Sequence, residues 1–374
     1  MVDIKRYQQA AELLAGIDAV KESIDVYIQG GLWEQARSIA ASRAPDLSTG
    51  VTEAKLNVLV ERGEWDQVLE LATQQGLTTL GKYSGLLASR LIQEEKFTDA
   101  IAVFSKWGAA PVPENLGLYK NLTRAILALP SNVDNESPLK ILRKVLFKLL
   151  PLLRDAEINE NHVQEFERLS LMTHLANLKE VCQHNGLTHI AAKLATALIR
   201  YSGDIPADKT YYNAGIACKE VGVMNLAFIF LNRYLDLADV IEDGEATILE
   251  NADFEKTDVP YDIPLPKKHY IPQDERREDV RGWVLQFILD PSNSQSLSLR
   301  PCENCGTDIY EASLWCYNCK YENEICIVTG YPVLRNNKIQ CTSCTKPSNR
   351  DDWNKYLMKT KACPWCENPQ TPSY

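Results

Sequence analysis

No apolar run in this chain approaches the ~20 residues that would cross a bilayer. The first residues, Met1 to Gly16, hold an early acid (Asp3) and two bases (Lys5, Arg6) but no apolar signal core. No secretory or transit peptide is read there. The five histidines (His162, His174, His184, His189, His269) form no ligand cluster, and none follows His269. A glycine-rich phosphate loop and a nucleophile elbow are both missing. So is a basic surface: the net charge is −10, which disfavours nucleic acid as a partner. An ordinary enzyme pocket is not written in this sequence.

Cysteine is abundant, with 11 residues, and the number is odd. Without an export signal, metal ligation is the expected use of these thiols rather than disulfides. Eight of them form four Cys-x-x-Cys pairs: Cys302/Cys305, Cys316/Cys319, Cys341/Cys344 and Cys363/Cys366. Two intervening residues let one tight turn present both sulfurs to one ion. Zinc is borderline soft and takes four tetrahedral ligands, so eight thiolates suit two Zn2+ ions. All-thiolate sites leave no open position for water, so both ions are expected to be structural. Lys320, Lys346 and Lys361 are placed to offset the negative charge of the sites. Both sequential pairing and cross-brace pairing fit the spacing. Cys326 is a ninth thiol, read as buried packing rather than a substitute ligand; Cys182 and Cys218 read as core thiols of helices.

The preceding residues, 1–240, read as a tetratricopeptide-like helical solenoid. Apolar residues recur at three- and four-residue steps, as in Leu56, Leu59 and Val60. Gly31-Leu32-Trp33-Glu34-Gln35-Ala36 is echoed by Gly63-Glu64-Trp65-Asp66-Gln67-Val68 and by Glu95-Lys96-Phe97-Thr98-Asp99-Ala100. The aromatics at 33, 65 and 97 keep a constant step close to the tetratricopeptide period. They are expected to form inter-helix core. The pattern returns with drifted spacing at Gly186 and Gly222, which suits degenerate helical pairs. A solenoid that starts inside its repeat, with no polar capping helix, reads as part of a longer protein.

Residues 241–273 form an acidic linker. Twelve acids and five bases lie in 241–279, and Pro260, Pro264 and Pro266 rule out helix. Tyr261, Ile263, Leu265 and Tyr270 are expected to pack along a surface. In 274–299, Val280, Trp283, Val284, Phe287 and Ile288 share one helical face, expected to dock on the zinc module. A zinc ribbon over 300–325 and a second small unit over 326–374 complete the predicted order. The fold class is therefore mostly α, followed by a small α+β zinc-binding module.

Two runs carry a resemblance: Cys326-Ile327-Val328-Thr329-Gly330-Tyr331-Pro332 and Asp351-Asp352-Trp353-Asn354-Lys355. With the proline-rich approach to Pro266 and the helix through Val280-Arg281-Gly282-Trp283-Val284, the chain resembles the C-terminal region of the intraflagellar transport 172 family, peripheral subunits of IFT complex B. The resemblance implies a scaffold or adaptor role in cilium assembly and ciliary transport. It implies other intraflagellar transport subunits as partners, at the cilium, flagellum and basal body, on the reducing cytoplasmic side. Residues 326–374 are also similar to a U-box, the RING-like fold of some ubiquitin ligases. That likeness would make Ile327, Pro332, Trp353 and Pro364 a surface for a ubiquitin-conjugating enzyme or ubiquitin. Because the U-box-like segment begins after Cys319, the likeness favours sequential thiol pairing. The expected role is non-enzymatic; a ubiquitin ligase or ubiquitin-binding module is the alternative. A nucleic-acid-binding ribbon is a minor one, since nine bases against eight acids in 300–374 supply little phosphate attraction.

Overall fold

The computed structural model describes residues 2–130, 137–156, 158–243, 252–260, 263–271 and 274–373. The chain is mostly helical: fifteen α-helices lie among the described residues, followed and interrupted near the end by two small hairpins. It divides into two compact units, residues 1–116 and 117–374.

The first unit stacks α1 (Val2–Gly16), α2 (Val20–Gln29), α3 (Trp33–Arg43), α4 (Ser48–Arg62), α5 (Trp65–Gln74), α6 (Leu77–Gln93) and α7 (Phe97–Trp107). One turn type joins the helices within each pair. After α2, α4 and α6 a residue with positive φ (Gly31, Gly63, Glu95) ends the helix. The next amide then bonds back five residues: Leu32 N–H to Tyr27 O at 2.9 Å, Glu64 N–H to Leu59 O at 3.0 Å, Lys96 N–H to Leu91 O at 2.8 Å. This is a Schellman cap, which satisfies the orphan carbonyls of the helix end. Trp33, Trp65 and Phe97 are each the first residue of the following helix. All three are half-buried, and Trp65 packs against the buried core of α4–α6. The sealed residues lie three further on: Ala36, Val68 and Ala100 are each 0% exposed. At an inter-helix crossing a small side chain lets the backbones close, and the aromatic at the helix end covers the edge.

The second unit begins within α8 (Pro113–Ala128) and continues with α9 (Pro138–Asp155), α10 (Glu160–His184), α11 (Thr188–Leu198), α12 (Ala207–Glu220) and α13 (Met224–Asp243). The same cap recurs: Leu187 N–H bonds Cys182 O and Val223 N–H bonds Cys218 O. Cys182 and Cys218 are buried core thiols. α14 (Asp274–Leu289) does not dock mainly on the cysteine-bearing region, as its apolar stripe suggested. It packs on α13. Phe287 stacks on Phe228 with ring centroids 5.1 Å apart, and Arg277 pairs with Asp239 and Glu242 of α13. Ile288, from the same stripe, is exposed.

The acidic linker is pinned where it is described. Phe254, Val259 and Ile271 are buried in the core of α11–α14. Asp258 takes Arg200 at 2.9 Å and the Leu314 amide at 2.8 Å. Tyr270 N–H bonds Asp208 at 2.7 Å. Of the residues expected to pack, Ile263 is partly buried and Leu265 is exposed. Tyr261 lies outside the described residues.

Candidate metal centres

Two hairpins carry the first pair of each cysteine set. β1 (Leu299–Pro301) pairs antiparallel with β2 (Asp308–Tyr310), and Cys302 and Cys305 sit in the loop between them. β3 (Lys338–Gln340) pairs with β4 (Pro347–Asn349), enclosing Cys341 and Cys344. The second pairs follow: Cys316/Cys319 after β2, and Cys363/Cys366 after α15 (Arg350–Thr360). Each pair forms the same turn. Its first cysteine donates its amide to a carbonyl five residues on (Thr307, Tyr321, Lys346 and Asn368). Its carbonyl accepts the amide of the residue four on, which has positive φ (Gly306, Lys320, Thr345, Glu367). Amides inside the turns point at sulfur, as from Ser343 to Cys341 and from Trp365 to Cys363, both at 3.4 Å.

The thiols gather in sequential sets, Cys302/Cys305/Cys316/Cys319 and Cys341/Cys344/Cys363/Cys366, with all sulfurs of a set within 4.8 Å of one another. Closest approaches are 3.7 Å in the first set and 3.8–3.9 Å in the second. A tetrahedron with metal–sulfur bonds of ~2.3 Å has edges of about 3.8 Å. Disulfides would need ~2.0 Å. The donor sets therefore fit one zinc ion each, held by four soft ligands with no vacant position. Left to themselves, the packed thiols titrate unequally: burial pushes Cys316 and Cys344 up to about 11. A bound cation reverses that preference by displacing the protons. Lys320 and Lys346 lie over the Trp315 and Trp365 rings at 4.6 and 5.1 Å. Lys361 caps α15 in the left-handed region.

Cys326 joins neither set. It forms a fifth copy of the turn without a second cysteine: Cys326 N–H bonds Tyr331 O, and Gly330, at φ 72°, returns its amide to Cys326 O. Where the other turns face sulfur, Thr329 stands. Cys326 is 0% exposed, and its sulfur accepts the Asn349 amide at 3.4 Å. Asn349 also bonds Pro332 O and the Leu334 amide. Hydrogen bonds occupy the place of a metal here.

The U-box likeness expects Ile327, Pro332, Trp353 and Pro364 to present a partner surface. The structure buries all four instead; Ile327 and Trp353 are each 1% exposed. The reason is a row of polar side chains from the helices, two arginines, a lysine and a neutral histidine, that reaches the turns and the start of α15. Arg143 of α9 donates to Pro364 O at 2.9 Å, to Trp365 O and to Glu367 at 2.6 Å. His174 of α10 meets Ile327 O at 2.9 Å. Lys193 of α11 pairs with both oxygens of Asp352 at 2.9 Å. Arg200 donates to Ala312 O and Gly330 O at 3.0 and 2.7 Å. Gly330 sits so close to the helices that a Cβ there would lie 2.6 Å from the Ala197 side chain. His174 is completely enclosed; burial first, then the neighbouring Arg143 charge, lowers its pKa to about 3. The neutral ring accepts from Arg143 at Nδ1 (3.3 Å) and donates from Nε2 to Ile327 O. Arg143 and His174 were not singled out from sequence. Arg143 carries a signal: it lies among Leu142, Val145, Leu146 and Leu149 on the buried side of α9, where a solvated base does not belong.

Fold and sites together define a stacked-helix protein ending in two four-cysteine modules. The chain is a homologue of the intraflagellar transport 172 proteins along nearly its whole length. It is 37% identical to the mouse and human intraflagellar transport protein 172 homologs over 98% of its residues, and 34% identical to the Chlamydomonas reinhardtii protein over 95%. It spans about 22% of the length of those curated relatives. No family model matches the chain. No described helix is long and apolar enough to cross a membrane.

Proposed function

We propose that this chain is a non-enzymatic scaffold region that holds protein partners during intraflagellar transport, acting in cilia or flagella. Homology over 98% of its residues to proteins of that name carries the reading. The geometry supports it. Cys302, Cys305, Cys316 and Cys319 hold one Zn2+, and Cys341, Cys344, Cys363 and Cys366 hold a second. With four thiolates each, the ions fix turns and offer no site to a substrate. The stacked helices supply extended surface, the usual means by which solenoids bind other proteins. Other intraflagellar transport subunits are the partners expected.

Capture of purified transport subunits by the zinc-loaded chain tests this reading. Binding to at least one is expected; failure to capture any while the chain is folded and carries two zinc ions overturns it. The ligase alternative needs an open face at Ile327, Trp353 and Pro364, and their burial counts against it. Ubiquitin transfer by the chain in a purified system would restore that alternative.

A further inference from the structure

A basic and aromatic face lies where α9 meets the second four-cysteine module. Lys144 and Lys148 are exposed, one helical step apart on the solvent side of α9. Among the described residues neither forms an ion pair, in a chain of net charge −10. Lys140 continues the row. Phe147, next to Lys148, is half-buried and packs on Trp365 with ring centroids 4.6 Å apart. The exposed Lys346 lies over the same Trp365 ring, 5.1 Å from its centroid. The surface therefore joins two elements distant in sequence.

Several acids around this face are already engaged. Glu367 pairs with Arg143, Glu167 with Arg154, Glu324 with Lys338, and Glu180 accepts from Ser137. A groove of about 480 Å3 opens beside Trp365, its apolar wall from Leu150, Leu171 and Pro347 and its charged rim from Lys346 and the paired Arg154 and Glu167.

We infer that this face docks an extended acidic segment of a partner protein. Lys144 and Lys148 stand about 6 Å apart along the helix. Alternate side chains of an extended chain repeat at about 6.6–6.8 Å on one face. Carboxylates at alternate positions thus meet successive lysines, and an aliphatic side chain further along the same face of the segment enters the groove. Lys346 and the Trp365 ring close the far end of the site. The inference rests on this surface alone and holds or fails independently of the transport reading.

A labelled peptide of about twelve residues, with Glu at alternate positions and a central Leu, serves as the probe. Fluorescence anisotropy with the zinc-loaded chain reads its binding. Saturable binding is expected, weakening with added salt. It is expected to fall at least about tenfold, ~1.4 kcal/mol, in the Lys144→Glu, Lys148→Glu double variant. Arg62→Glu, in the other unit, leaves it unchanged. The same peptide with Gln in place of Glu needs no variant and should bind at least about tenfold more weakly. Equal affinity for the Glu and Gln peptides, or for parent and double variant, overturns the inference. So does binding to phosphatidylserine vesicles or single-stranded DNA without binding to the peptide.

Discussion

The two four-cysteine sets share spacing, turn geometry and sulfur separation, yet they meet the rest of the molecule differently. The first set stands apart from the helices. Its hairpin docks through Tyr310 and Ala312, while the cysteine turns are bonded within the module, as Cys305 is to Thr307 and Asn318. Cys305 is exposed. The second set is seated at the joint itself. Arg143 grips the carbonyls inside the Cys363–Cys366 turn, and Trp365 from that turn packs on Phe147 and His174. The same metal chemistry thus has two mechanical roles. An ion in the first set would shape an outlying loop, and one in the second would hold a turn that packs directly on the helices.

The largest contrast should appear on removing a ligand. Structural zinc contributes roughly 10–16 kcal/mol in small zinc peptides, comparable with the ~5–15 kcal/mol that stabilises a whole domain. Cys363→Ser is expected to lose one of two zinc ions and to lower the melting temperature of residues 117–374. Cys305→Ser is expected to lose one ion with the α9–α13 melt little changed. Metal analysis beside circular dichroism checks both, and equal effects would erase the distinction.

Arg143→Ala should come next. It leaves two carbonyls in the joint without their donor, costing about 2–4 kcal/mol. Hydrogen exchange should rise at 363–367 and not at 302–319. A uniform rise across both sets would mean that Arg143 does not discriminate between them.

A pH series isolates His174. Its folded pKa is about 3, against ~6.5 in an unfolded chain. The unfolded state therefore takes up the proton first as pH falls. Stability is intact above about 6.5 and declines by up to ~1.4 kcal/mol per pH unit below it, down towards the folded value. With zinc held in excess, His174→Asn is expected to flatten this slope between pH 6.5 and 5. An unchanged slope would assign the loss to protonated thiolates instead. The smallest effect is expected for Glu367→Gln. That carboxylate is 64% exposed in its pair with Arg143, so the change should cost under ~1 kcal/mol. A larger loss would make the ion pair, rather than the carbonyl bonds, the main grip.

Much of this was legible in the chain because it is local. The step between Trp33, Trp65 and Phe97 reflects a cap that closes within six residues. Each Cys-x-x-Cys pair reports a turn that completes itself. The likeness of 326–374 to a U-box correctly separated the thiols into sequential sets. The docking of that segment was hidden, because Arg143, His174, Lys193 and Arg200 lie 130 or more residues before the groups that they hold, apart from Ala312 and the linker's Asp258, which are nearer. The amphipathic stripe of α14 announced a buried face and not its neighbour, because packing on α13 is a contact between elements that the stripe does not encode.

Sequence by itself determined the elements and the metal chemistry: helix ends, hairpin turns, and eight thiols whose softness and spacing suit zinc. Those properties depend on neighbours in the chain and on the valence of sulfur. Only the tertiary structure decided which surfaces remain open. Ile327, Trp353 and Pro364 are apolar enough to bind a partner, but polar side chains reaching their segment from the helices hold it against them and bury all three within the chain. Lys144, Lys148 and Lys346 are left facing solvent, because burying a charge without a partner costs more than leaving it in water.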